Sequence, residues 1–112
     1  MNYKLQSNKG FPRVSIILPT FNRANLIIKA IESVLNQTYQ NFELIIVDNF
    51  STDNTLEIVN SFNEKRIKYF KYRNKGIIAK SRNYGIEKSQ GEYIAFLDSD
   101  DWWKRNKLEI SM

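Results

Sequence analysis

Four short apolar runs mark the chain, and each breaks into polar residues. Val14-Ser15-Ile16-Ile17-Leu18, stopped by Pro19, predicts strand one. Phe42 to Val47 is nearly all apolar, as expected of a strand covered on both faces. Ile67 to Tyr72 alternates with lysine and predicts a charged edge strand. Glu92 to Leu97 predicts strand four. Between them the period changes to that of a helix. Leu26, Ile27, Ala30, Ile31, Val34 and Leu35 recur within 23–36, and Leu56, Val59 and Phe62 within 53–63. Ile78, Arg82 and Ile86 form one stripe within 77–89, which ends near Gly91. Trp102 to Met112 predicts a last helix. Asn22 or Thr20 is a candidate cap for the first helix, and Ser51 or Thr52 for the second.

The order β-α-β-α-β-α-β-(α) implies an α/β fold: a Rossmann-like, mostly parallel sheet with helices on both faces. Residues 1–12 read as a flexible polar leader and 13–112 as one folded unit. The stop soon after Leu108 and Ile110 is that expected of a truncated domain. In open sheets of this kind, ligands bind outside the carboxyl ends of the strands, where strand order reverses. Those ends carry Pro19-Thr20, Asp48-Asn49 and Asp98-Ser99-Asp100. They converge on one crevice if strand four lies beside strand one.

Composition narrows the chemistry. The 112 residues contain no Cys and no His, which removes thiol nucleophiles, Ser-His-Asp triads, typical zinc sites and disulfides. Carboxylates and a bound metal remain. The net charge of +5 favours phosphate-bearing or other anionic partners. A nucleic-acid binder is thinly supported, because the aromatics fall in apolar runs and no basic stripe accompanies them. Lys65, Arg66, Lys68, Lys71 and Arg73 read as cover for the edge strand. No apolar stretch approaches a membrane span and no h-region is present, so the chain as given reads as soluble and cytoplasmic.

Asp98, Asp100 and Asp101 place three acids within four positions after an apolar run. Asp98 and Asp100 are two apart, so an extended backbone points both the same way. That suits a hard divalent cation and a phosphate-bearing substrate. The plainer reading is that these residues cap the last helix, with Asp101 the best candidate for a cap alone. Asp48 alone divides evenly between a ligand and a turn residue, and Arg82 reads equally as a solvated cation or a carboxylate's partner. One of Trp102 and Trp103 is expected to pack. A rival class is a receiver-type Mg²⁺-binding phosphoacceptor module. It needs a paired acid after strand one, and Pro19-Thr20-Phe21-Asn22 holds none.

Four segments in order resemble the motifs of family 2 glycosyltransferases, inverting enzymes of GT-A fold that use nucleotide-diphosphate sugars. They are Val14 to Arg23; Glu43 to Thr55; Asn74-Lys75-Gly76 with Ala79 to Gly85; and Phe96 to Asp101, whose Asp98-Ser99-Asp100 corresponds to the DXD motif. The resemblance covers about residues 13–110. It implies that Pro19, Thr20 and Phe21 line the nucleotide pocket and that Asp48 accepts a hydrogen bond from the N–H of a uracil-type base. Arg82 would face the base or diphosphate, and Asp98 the ribose. Ser99 belongs to the same nucleotide-binding set, and Asp100 would ligate Mn²⁺ or Mg²⁺. Asn49-Phe50 departs from the family's usual Asp-Gly, so the shape of the base pocket is expected to differ. The general base is expected beyond residue 112, leaving a donor- and metal-binding half. The implied whole is a metal-dependent transferase of polysaccharide or glycoconjugate synthesis. It would use a UDP-linked donor and a carbohydrate or lipid-linked acceptor, without nucleic acid. The resemblance leaves open a homo-oligomer and peripheral association with the cytoplasmic face of the membrane.

Overall fold

The computed structural model describes residues 12–111. The expected leader lies, apart from Pro12, outside the described residues. The elements are β1 (Val14–Thr20), α1 (Ala24–Leu35), β2 (Phe42–Asp48), α2 (Thr55–Ser61), β3 (Ile67–Lys71), α3 (Ile78–Lys88), β4 (Tyr93–Phe96) and α4 (Lys107–Ser111). All four strands pair in parallel in the order β3-β2-β1-β4. The sheet therefore grows from β1 to β3 in one direction and then returns to the other side of β1. That reversal lies between β1 and β4. As expected, β3 is an edge strand.

Side chains alternate across the sheet. Ile16, Leu18, Leu44 and Ile46 meet Ile27, Ile31 and Val34 of α1, Val59 of α2 and Leu108 of α4 on one face. Ile17, Ile45 and Val47 meet Phe70, Tyr72 and Tyr84 on the other. Both middle strands are buried along their whole length, which accounts for the unbroken apolar runs in the sequence.

Pro19 does not end β1, contrary to expectation. The strand continues to Thr20, with Pro19 beside Val47. In a parallel strand alternate residues turn their N–H and C=O to opposite neighbours. Ile17 faces β4, accepting from the Leu97 N–H at 3.0 Å, and Thr20 faces β2, accepting from the Asn49 N–H at 3.0 Å. Pro19 therefore faces the β4 side beyond the end of that strand, where its missing N–H costs no ladder bond.

The stripe of Ile78, Arg82 and Ile86 on α3 is not the face that meets the sheet. Ser81 and Gly85 are buried, whereas Ile78 and Ile86 are 53% and 41% exposed. The helix approaches the sheet too closely for larger side chains. A Cβ on Gly85 would stand 2.5 Å from Ile17 Cγ2. The last helix begins at Lys107, not Trp102, and residues 97–106 belong to no helix or strand.

A buried carboxylate joins the strands at their amino ends. Glu43 Oε2 accepts from Ser15 Oγ (2.6 Å) and from the Gln90 N–H (2.7 Å), and Oε1 accepts from Lys68 Nζ (2.8 Å). Ser15 Oγ in turn accepts from the Gly91 N–H at 2.8 Å. Burial raises the Glu43 pKa, but the bonds from Lys68, Ser15 and Gln90 outweigh it and leave the value lowered. One acid thus ties β1, β2, β3 and the turn into β4.

Candidate functional site

The carboxyl ends of the strands enclose an open crevice of about 390 Å³ at the β1/β4 reversal. Pro19, Thr20 and Phe21 wall it from β1, Arg82 from α3, and Asp98, Ser99 and Asp100 from the segment after β4. Seven of the eight site residues expected from the sequence therefore stand around one cavity.

The eighth, Asp48, does not. It is 1% exposed and lies beneath the wall. Its Oδ1 accepts from the Ser51 N–H (3.0 Å) and Ser51 Oγ (2.6 Å), and its Oδ2 accepts from the Tyr69 hydroxyl. Burial first, then the bond to Asp48, holds the Tyr69 phenol protonated well above its ordinary range. Both Asp48 oxygens thus accept hydrogen bonds within the protein, and of the acceptor sites on the carboxylate only one on Oδ2 stays unused. Asn49 takes the exposed place on the wall, and its Oδ1 accepts from the Asn74 N–H at 3.0 Å.

The β1–α1 and β2–α2 loops brace each other. The Asn22 N–H donates to Ser51 Oγ (2.8 Å), and Asn22 Oδ1 accepts from the Thr52 N–H (2.7 Å). Neither Asn22 nor Thr20 caps α1, and neither Ser51 nor Thr52 caps α2. Asp53 serves both helices. Its Oδ2 accepts from the Ala24 N–H at 3.1 Å and its Oδ1 from the Thr55 N–H at 3.1 Å. The Thr55 hydroxyl, followed by these backbone donors, lowers the Asp53 pKa. Phe50 adopts a left-handed backbone at φ 53°, the conformation that explains glycine at this position elsewhere in the resembled motif. The Arg73 guanidinium lies 4.3 Å from the Phe50 ring centre.

Three features bear on a ligand. Thr20 is 5% exposed, and its Oγ1 has no hydrogen-bond partner among the described residues. Arg82 Nε is likewise buried without a partner, although Arg82 Nη2 reaches Asp98 Oδ1 at 3.2 Å. Asp100 is exposed on the crevice wall. Asp101 caps no helix. Its N–H closes a turn onto the Asp98 carbonyl (3.0 Å), and its Oδ1 accepts from the Trp102 N–H (2.9 Å). Trp103 packs on the core, while Trp102 is half exposed beneath Lys29 Nζ at 4.3 Å from its ring centre.

Among the described residues no group of three or more acids could by itself cage a metal. Asp100 nevertheless fits a hard cation of the kind that takes one or two carboxylates and completes its shell with water and substrate phosphates. At the tip of β1 there is no acid for a phosphoacceptor module. Asn74 and Gly76 also line the crevice and were given no role by the sequence pattern. Asn74 Nδ2 donates to Ser81 Oγ (2.8 Å) and its Oδ1 accepts from the Gly76 N–H (2.8 Å), so it shapes the turn into α3. The Asn-x-Gly spacing was the available signal.

The sequence profile of the family described as Glycosyl transferase family 2 matches residues 15–111. This chain belongs to glycosyltransferase family 2. An uncharacterized glycosyltransferase of Rickettsia bellii is 50% identical over 101 residues, covering 89% of this chain and 14% of its own length. The UDP-Glc:alpha-D-GlcNAc-diphosphoundecaprenol beta-1,3-glucosyltransferase WfgD of Escherichia coli is 44% identical over 99 residues, covering 88% and 39%. Among solved structures, S. aureus TarS 1-349 in complex with UDP-GlcNAc superposes with a TM-score of 0.83 at 33% identity, over 88% of this chain and 30% of that one. The mannosyltransferase PcManGT from Pyrobaculum calidifontis, in complex with GDP-Man and Mn²⁺, gives 0.74 at 27% identity, over 83% and 29%. The four-stranded parallel sheet is thus of GT-A-like, Rossmann type. The chain spans well under half the length of these relatives. No helix among the described residues is long and apolar enough to cross a membrane.

Proposed function

We propose that this chain is the donor-binding part of a glycosyltransferase. The whole enzyme would move a sugar from a nucleotide diphosphate, UDP in the first instance, to an acceptor hydroxyl with inversion. The observation that carries the reading is the gathering of Thr20, Arg82, Asp98 and Asp100 around one crevice at the strand-order reversal. Two of these residues hold buried polar atoms that have no partner among the described residues. In a family of nucleotide-sugar enzymes, such atoms are met by donor groups.

The residues divide the task by their chemistry. The Thr20 hydroxyl and the adjoining backbone of Pro19 and Phe21 hold the nucleoside. Arg82 supplies positive charge to the diphosphate while its pairing with Asp98 fixes its direction. Asp98 takes the ribose hydroxyls as an acceptor, next to Ser99. Asp48 supports the base wall through Ser51 and Tyr69, and Asn49 faces the base. Asp100 is the residue that would hold Mn²⁺ or Mg²⁺. That cation supplies charge neutralisation for the departing diphosphate. The acceptor base belongs to sequence beyond residue 112. WfgD, by its name, acts on a diphosphoundecaprenol-linked sugar, which supports a lipid-linked acceptor. Polysaccharide or glycoconjugate synthesis is the matching role.

Isothermal titration of the folded chain with UDP, GDP, CDP and ADP, each with and without Mn²⁺, tests this. Metal-enhanced binding of at least one is expected. No binding to any of them would overturn the reading.

A further inference from the structure

The segment that carries Asp98 and Asp100 is irregular for ten residues, 97–106, yet it supplies one wall of the crevice through Asp98, Ser99 and Asp100. Its upstream end is fixed by the Leu97 N–H bond to Ile17 O at 3.0 Å. Its downstream end is fixed by a residue outside the crevice. Gln37, just past the end of α1, is 2% exposed. Its Nε2 donates to Lys104 O (2.6 Å) and Ser33 O (3.1 Å), and its Oε1 accepts from the Leu108 N–H (2.9 Å). The adjoining Thr38 N–H donates to Arg105 O at 2.8 Å.

Each polar group of this side chain is used, and the partners fix its orientation. Two carbonyls need the NH₂, and one N–H needs the oxygen. No hydrophobic or charged residue of that size satisfies all three. The acid-bearing strap is therefore held at the end of α1 by the buried Gln37 amide together with the Thr38 N–H. Leu108, 2% exposed in the core, anchors the far end of the strap beside this amide, which binds its N–H.

We propose that Gln37 is a positioning residue for the Asp98–Asp100 carboxylates, acting through the strap and touching neither donor nor metal. This rests on the proposed donor-binding function. With the amide gone, the Leu108 N–H loses its partner and the Lys104 carbonyl keeps only the Lys107 N–H at 3.0 Å, so the strap loosens and Asp100 is held less firmly against the crevice.

The test uses Gln37→Met, which keeps length and removes every hydrogen bond. Lys68→Met, which weakens the Glu43 clamp at the far end of the sheet, is the control for general destabilisation. Hydrogen exchange is followed across 98–108 without nucleotide or metal, and UDP affinity is measured with and without Mn²⁺. In Gln37→Met, exchange should accelerate across the strap. The Mn²⁺-dependent gain in affinity should fall by about tenfold, the scale typical of residues that orient metal ligands. Metal-free affinity, to which Asp98 of the same strap contributes, should fall by a smaller factor. Lys68→Met should lower Tm and leave the Mn²⁺ gain intact. If Gln37→Met does not fold, Gln37→Glu retains the acceptor for Leu108 and gives the same comparison. Unchanged exchange across the strap, or equal loss of the Mn²⁺ gain in Lys68→Met, overturns the proposal. A wild-type chain with no Mn²⁺ gain would instead defeat the metal reading, while the exchange measurement still decides the clamp.

Discussion

Arg82 and Asp98 meet across the crevice, Nη2 to Oδ1 at 3.2 Å, one from α3 and the other from the segment after β4. Their side chains are 39% and 55% exposed. A pair this open to water contributes at most about 0.5 kcal/mol to folding. On the proposed function its significance is in binding. Arg82→Ala should leave Tm nearly unchanged and weaken UDP affinity by about tenfold, the value of one charge-assisted contact to a phosphate. Calorimetry and titration on the same sample check both halves. A large fall in Tm with intact affinity would show the pair to be structural.

Thr20→Val should separate binding from stability in the same way. The hydroxyl is buried without a protein partner, so an isosteric methyl removes an unsatisfied group. Stability should hold or rise by about 0.5–1 kcal/mol in urea unfolding, while nucleotide affinity falls. Lower stability would mean that the hydroxyl is satisfied within the fold.

At Gly85 the prediction is steric. An added methyl meets Ile17 Cγ2 at 2.5 Å, in a face where two strands and a helix leave no room. Gly85→Ala should destabilise by roughly 1–3 kcal/mol despite the better helix propensity of alanine. A stabilised variant in chemical unfolding would show that α3 can move away from the sheet.

Acid stability should report on Glu43. Its pKa is lowered in the folded chain from an ordinary 4.5, so the folded state favours the ionised form. The stabilisation is complete above the unfolded value and is lost as pH falls through the lower native one. Glu43→Gln should cost about 1–3 kcal/mol at pH 7, as expected for hydrogen bonds to a charged group. The difference from wild type should shrink below pH 4.5. Glu64 is lowered to about 2 by its bonds to Arg66 and titrates in both proteins, so it cancels in the comparison. A difference independent of pH would place the loss in packing instead.

The sequence carried what depends on period and on strand ends. Runs such as Phe42–Val47, short and β-branched, fit strands of a doubly covered sheet, and the polar residues following them mark the crevice. Two kinds of feature were not legible. The first is close approach: on α3 the apolar Ile78 and Ile86 share a stripe, yet Ser81 and Gly85 meet the sheet because contact distance outweighs hydrophobicity there. The second is engagement of a polar side chain. Asp48 and Asp100 look alike in sequence, but one is satisfied by Ser51 and Tyr69 and the other faces the crevice. Gln37 gave no signal, since its partners lie 67 and 71 residues away.

The Glu43 clamp and the crevice stand at opposite ends of the same parallel strands. A substitution near Ser15, Glu43 or Lys68 therefore changes how firmly the sheet is held without touching the crevice, whereas one at Thr20, Asn49 or Asp100 alters the crevice wall. Descendants of such a chain can change donor preference at one end while compensating losses of robustness at the other. The two sets of residues can drift almost independently, as is useful in a scaffold that serves many sugars.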